Sequence, residues 1–162
     1  GSCIYTTGCT DATAINYDTD AVKDDGSCLY QCDDIQATNY NVITTSPVCE
    51  YESGVVIWLD ETAAQYFDSL NIPVLSVYAG NEVAGSMDAT VGFNSIILCT
   101  DTNQGPVYYI YQWEDEQTTT LTLTVYDGNL DIMYQSTENA LANGCLKLQL
   151  TWVIIEEYQD SH

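Results

Sequence analysis

The sequence predicts a mainly β protein: a two-sheet sandwich carrying one short helix, preceded by two small disulfide-stapled loops. Three observations carry that expectation. From residue 54 onward, short apolar or alternating runs are separated by Gly, Asn and Asp turns. Cys3, Cys9, Cys28, Cys32 and Cys49 crowd the first 51 residues, and the whole chain has a single histidine, so disulfides explain them better than zinc does. An apolar content of 46% over 162 residues is ample for one packed core and a small appendage.

The appendage is an internal repeat. GCTDATAINYDTDAVKDDGSCLY (8–30) aligns with QCDDIQATNYNVITTSPVCEY (31–51). Cys9, Asp11, Ala14, Asn16 and Tyr17 fall on Cys32, Asp34, Ala37, Asn39 and Tyr40 at a constant offset of 23. After a two-residue deletion, Cys28 and Tyr30 fall on Cys49 and Tyr51 at an offset of 21. A copy of this length buries too little to offset its chain entropy, so it needs a covalent or ionic staple. Pairing Cys9 with Cys28 and Cys32 with Cys49 closes loops of about 20 residues, each stabilising by roughly 3 kcal/mol. The alternative joins close neighbours, Cys3 to Cys9 and Cys28 to Cys32. The opening GSCIY repeats the Gly-Ser-Cys-aliphatic-Tyr pattern of Gly26–Tyr30, so residues 1–7 read as the end of a preceding repeat. On that expectation the chain is the C-terminal part of a larger secreted polypeptide, its signal removed, and Cys3 is unpaired or joined to another subunit.

The first copy carries Asp18, Asp20, Asp24 and Asp25 around Gly26, with Asp11 one loop away. Alternate carboxylates on a tight turn supply hard oxygen ligands at calcium's reach, although the spacing is not that of the EF-hand loop. A solvated acidic turn is the simpler alternative. The second copy has Asn41-Val-Ile-Thr-Thr-Ser-Pro47 in the equivalent stretch, without a carboxylate, and reads as a degenerate disulfide spacer.

Gly8-Cys-Thr-Asp, Ala14-x-Asn16-Tyr17 and Asp24-Asp-Gly-Ser-Cys28 together resemble the GCTDPxAxNYxPxAxxDDGSC repeat. That repeat occurs in tandem in secreted surface and adhesion proteins of aquatic bacteria and in structural proteins of their phages. Ala12 and Thr19 stand where that family often has proline. The resemblance implies spacer or attachment modules rather than enzymes.

Residues 52–162 read as the sandwich domain. GVVIWLD (54–60) is an apolar strand. Asp60 is a helix N-cap, Ala63, Tyr66, Phe67 and Leu70 share one helical face, and Asn71-Ile-Pro73 ends the helix. VLSVYA (74–79) and EVAGSM (82–87) form a hairpin across Gly80-Asn81, and SIILC (95–99) reads as a strand. TTTLTLTVY (118–126) and NLDIMYQS (129–136) meet across Asp127-Gly128, a two-residue hairpin signal. Cys99 and Cys145 are the natural pair for this half. The result is an immunoglobulin-like or prealbumin-like sandwich of seven or eight strands, with a barrel as the alternative. Its final segment, LKLQLTWVIIEEY (146–158), alternates Leu146, Leu148, Leu150, Trp152 and Ile154 onto one face for an unusual length, roughly 43 Å if fully extended. Trp152, Ile154 and Ile155 then form an assembly strand for donation to another subunit, against the plainer reading of a long edge strand.

Charge and residue inventory bound the function. A net charge of −22, with Lys23 and Lys147 as the only basic side chains, excludes nucleic acid and anionic lipid as partners. No apolar run approaches the roughly 18–20 residues of a membrane span. His162 is the last residue, so Ser–His and Cys–His catalysis lacks a base, and pairs such as Glu114 with Glu116 arise by chance among 24 acids. No catalytic residue is expected. Tyr109, Tyr111 and Trp113 lie on one side of VYYIYQW (107–113), a candidate surface for stacking on a glycan unless that face is core. The sequence therefore predicts a non-enzymatic extracellular structural protein, a homopolymeric pilus-like surface fibre subunit with calcium in its first repeat. The competing expectation is an adhesin or phage-fibre module that binds a glycan or receptor.

Overall fold

The computed structural model describes residues 5–162, so the expectation for Cys3 lies outside the described residues. The protein is mainly β, with two short helices, several small sheets and three disulfides, two of them in the N-terminal region. Its contacts divide it into two units: the chain up to Tyr51 together with Trp113–Gln117, and Glu52–Gln112 together with Thr118–His162.

The first unit is almost without regular structure. Its strands are two residues each: β1 (Thr7–Gly8) parallel to β2 (Lys23–Asp24), and β3 (Tyr30–Gln31) antiparallel to β4 (Ile43–Thr44). Cys9 pairs with Cys28 and Cys32 with Cys49, the expected loop closures rather than the neighbour pairing. Cys9, Ala14 and Cys28 are the buried residues of the first loop, a core far too small to order it without the bridge.

The second unit is built on β5 (Glu50–Leu59), which enters it from the first. Helix α1 (Glu61–Ser69) follows at once. The Asp60 carboxylate accepts the Ala63 amide at 2.7 Å, and Asn71 at φ 57° turns the chain after the last helical residues. Ala63, Ala64 and Phe67 are its buried face, whereas Leu70 is exposed. β6 (Val74–Ala79) and β7 (Glu82–Asp88) pair across Gly80-Asn81, with Ala79 opposite Glu82. β8 (Val107–Glu114), β9 (Thr118–Tyr126), β10 (Ile132–Leu141), β11 (Gly144–Leu150) and α2 (Trp152–Ser161) complete the chain. The strands form a four-stranded sheet in the order β10-β9-β6-β7 and a three-stranded sheet in the order β11-β5-β8, in which β11 runs parallel to β5. Val55, Ile57 and Leu59 of β5, Leu75 and Val77 of β6, Leu121, Leu123 and Val125 of β9, and Phe67 of α1 join one buried cluster.

Three local expectations are corrected. Residues 95–99 are not a strand: Ile97 alone of the apolar run is buried, while Ile96 and Leu98 face solvent. The β9–β10 connection is five residues, not two, because Tyr126 pairs with Ile132. The buried Asp127 carboxylate accepts the amides of Asn129 and Asp131 at 2.8 and 2.9 Å, and Leu130 takes φ 69°, so side-chain capping sets the loop length in place of the Asp-Gly signal.

The third correction concerns the C-terminus. The long strand stops at Leu150, and Trp152, Ile154 and Ile155 lie on helix α2, so there is no extended segment from 151 to 158 to donate. The Thr151 side chain accepts the Ile154 amide at 3.4 Å, a cap that ends the strand and starts the helix. β-Branched Val153-Ile154-Ile155 favours a strand locally, but helical spacing puts Trp152 on Tyr66, with ring centroids 3.8 Å apart, and Tyr158 on Tyr134 at 5.7 Å. Tertiary packing outweighs propensity here. The two geometries differ at a measurable place, since Ile155 is 0% and Val153 58% exposed. Ile155→Ala is expected to cost about 2–4 kcal/mol in urea unfolding and Val153→Ala under about 1 kcal/mol. Equal losses at the two positions would contradict the helix.

Candidate functional site in the repeated loops

The two loops build one hydrogen-bond frame twice. The Asp11 carboxylate accepts the Thr13 amide at 2.9 Å and the Tyr30 hydroxyl at 2.7 Å; Asp34 accepts the Gln36 amide at 2.9 Å and the Tyr51 hydroxyl at 2.7 Å. The Asn16 amide group donates to Ser27 O and accepts from Leu29 N–H, clasping the strand that leaves the loop. Asn39 does the same with Val48 O and Glu50 N–H. Backbone bonds repeat too: Ala14 N–H to Asp11 O and Ile15 N–H to Leu29 O correspond to Ala37 N–H to Asp34 O and Thr38 N–H to Glu50 O. The residues shared between the copies are thus the parts of a frame. Asp and Asn satisfy loop amides that have no ladder to join, and Tyr carries its hydroxyl back across the disulfide loop to the first turn.

Asp11, an expected calcium ligand, also has this frame role: its counterpart Asp34 holds the equivalent turn and the equivalent tyrosine in a loop with no acidic cluster. Asp18, Asp24 and Asp25 each cap a local turn, accepting the amides of Asp20, Gly26 and Ser27 at 2.9, 3.0 and 3.0 Å, and Asp20 is exposed. Among the described residues, no three His, Cys, Asp or Glu side chains are gathered as a metal shell.

The second loop has an addition that sequence inspection missed. The β8–β9 turn packs on it: Trp113 stacks on Tyr51 with centroids 6.1 Å apart, Gln117 donates to the Asp34 carboxylate at 2.8 Å, and Asp115 N–H donates to Cys49 O at 3.0 Å. These partners lie 62 to 83 residues away in sequence, and no local pattern marks them. Burial, then the Asp34 bond, pushes the Tyr51 phenol up to about 12. The Gln36 amide, with Gln117 and Tyr51, holds the Asp34 carboxyl below its usual range, and Tyr30 with Thr13 does the same for Asp11.

The expected aromatic surface divides between two environments. Tyr109 and Tyr111 are half-buried against the main core, with the Tyr109 hydroxyl donating to Glu82, and Trp113 packs on Tyr51. Ile110, Gln112 and Glu114, on the opposite side of β8, are exposed. His162 Nδ1 hydrogen-bonds the Ser161 hydroxyl at 2.9 Å and lies 3.1 Å from Tyr158 O at the end of α2.

The tyrosine–aspartate pair fixes a pH window for the second loop. Tyr51 has a folded pKa raised above its ordinary value near 10, so its contribution is complete below about pH 10 and fades as pH rises through about 12. The depressed Asp34 contributes above its ordinary range and loses that contribution as acid protonates it. Tyr51→Phe is expected to lower stability by about 1–2 kcal/mol at neutral pH and to flatten the alkaline fall in unfolding curves; an unchanged pH 10–12 limb would contradict this assignment.

The chain matches no family model, no curated protein and no solved structure.

Proposed function

We propose that this chain is a non-enzymatic structural module of an extracellular appendage or surface fibre, in which the repeated loops serve as stapled spacers. The carrying observation is what the two copies share. Cys, Asp, Asn and Tyr of the frame have the same partners in both, whereas the stretch between them changes from Asp18–Asp25 to the uncharged Asn41–Pro47. Repetition of a frame rather than of an exposed reactive group suits a spacer. Three disulfides are those of a protein made for an oxidising compartment, and no described helix is long and apolar enough to cross a membrane. We read the seven strands of the second unit as an immunoglobulin-like or prealbumin-like sandwich, since both sheets contribute to one buried cluster.

Assembly of such a subunit proceeds through surfaces other than the C-terminal segment, and its charge of −22 has to be screened first. Calcium enters as a counter-ion drawn to Asp18, Asp20, Asp24 and Asp25. A second reading, a glycan- or receptor-binding adhesin, is favoured by the equivalent rings Tyr17 and Tyr40, which are 45% and 46% exposed at matching positions of the two loops.

Sedimentation across salt titrations tests the first reading. Concentration-dependent assembly is expected to rise with ionic strength and to respond to magnesium as it does to calcium; a response to calcium alone would show a selective site, and a monomer under all conditions would remove the fibre reading. Binding to a glycan array that is lost on Tyr17→Ala and Tyr40→Ala would establish the second.

A further inference from the structure

The outer face of the three-stranded sheet carries a device that the spacer reading leaves unused. Alternation along the paired strands puts Gly54, Val56 and Trp58 of β5 on one side with Cys145, Lys147 and Gln149 of β11, their register partners. A strap, the β7–β8 connection spanning 89–106, lies over this side. Ile97 is buried with Val56 and Trp58, and Phe93, Cys99 and Tyr108 pack around them as a second core separate from the main one. Two ties hold the strap. At one, Phe93 N–H donates to Leu59 O at 2.8 Å and the Gln149 side chain donates to Phe93 O at 3.1 Å. At the other, Cys99 is bonded to Cys145 directly above Gly54, where a Cβ would come within 2.9 Å of the Cys99 side chain.

This bridge differs from the loop bridges. Cys9, Cys28 and Cys32 are buried and Cys49 is half-buried, whereas Cys99 is half-buried and Cys145 is exposed. The Cys99 amide donates to Cys145 Sγ at 3.2 Å, a contact that strengthens when that sulfur becomes a thiolate. Lys147, one of two cationic side chains in the chain and also exposed, stands on the same strand face two residues on, about 7 Å away by strand geometry. In a chain of 24 acids, an amide on one disulfide sulfur and a cation at the next position of its strand face favour that sulfur as a leaving group.

We propose that Cys99–Cys145 is a thiol–disulfide exchange site that unlatches the strap from Val56 and Trp58 when it meets an extracellular dithiol. The thiolate of the dithiol attacks Cys99 Sγ, forming a mixed disulfide and breaking the Cys99–Cys145 bond; the electron pair leaves on Cys145 Sγ. The second thiol of the reagent loses its proton and attacks its own sulfur in the mixed disulfide, closing the reagent's disulfide and releasing Cys99 as a thiolate. The two protons given up by the dithiol end on Cys99 and Cys145, so the protein is reduced by two electrons and the dithiol oxidised by two. With its covalent tie gone, the strap keeps only the tie at its other end, the Phe93 bonds and the Glu61 N–H bond to Asn94 Oδ1, and the second core opens.

The test uses the folded protein with free thiols blocked beforehand, exposed to graded dithiothreitol, quenched with iodoacetamide and mapped by mass spectrometry. Cys99 and Cys145 are expected to be alkylated at about tenfold lower reductant or shorter time than the loop cysteines, as their access and thiolate stabilisation dictate. Lys147→Gln, a change at an exposed side chain, is expected to slow this opening about threefold, the effect of one charge at that separation in water. Amide hydrogen exchange is expected to rise across 91–106 after opening and to stay unchanged in 8–51. Loop bridges that open first or together with Cys99–Cys145 overturn the exchange site. A Lys147→Gln rate equal to wild type overturns the leaving-group assignment, and a strap whose exchange does not change on reduction overturns the latch.

Discussion

Strand β5 is buried on both faces, and most of the second unit follows from that. Val55, Val56, Ile57, Trp58 and Leu59 are a continuous apolar run with no side turned to water. A strand of this kind needs two covers. The inner cover is made by the four-stranded sheet with α1 and α2, which meet Val55, Ile57 and Leu59. The outer cover has no secondary structure of its own, so a strap that buries Ile97 on Val56 and Trp58 does the work, held down by a disulfide and the Phe93 bonds. Gly54 at the start of the strand leaves room for the bridge. Gly92 allows the close crossing at the start of α1, where a Cβ would lie 2.5 Å from Asp60 O.

The first unit solves the opposite problem. It has next to no core, so polar side chains take the place of a ladder and two disulfides take the place of burial. Asp and Asn are suited to this because one short side chain can satisfy two backbone groups at once. The tyrosine that closes each loop is also the residue by which the chain leaves it: Tyr30 begins β3, and Tyr51 lies at the start of β5. In the second loop this exit is covered by Trp113 and Gln117, so a hairpin tip from much later in the chain completes the unit.

Much of this was legible in the sequence, and the reasons are local. The repeat offsets locate the frame residues because each frame bond spans fewer than about 20 residues, and cysteines at the ends of each copy specify their own partners. Asp60 and Asn71 mark the ends of α1 through contacts within the same turn. Gly80-Asn81 fixes a hairpin because both strands leave it directly. The Cys99–Cys145 pair followed from having only two cysteines in that half.

The sequence by itself therefore determined what short-range chemistry can specify: the mainly β character, the stapled repeats, the first helix and the disulfide pairs. Tertiary structure decided the rest, wherever a segment's local preference was weak or equal between two forms. Val153-Ile154-Ile155 suits a strand or a helix, and the place available beside Tyr66 and Tyr134 selects the helix. Residues 95–99 suit a strand, but a single partner face, Val56 and Trp58, selects a strap. The bond from the Tyr30 hydroxyl to Asp11 belongs here too, because a hydrogen bond between residues 19 apart depends on where the chain returns across the closed loop.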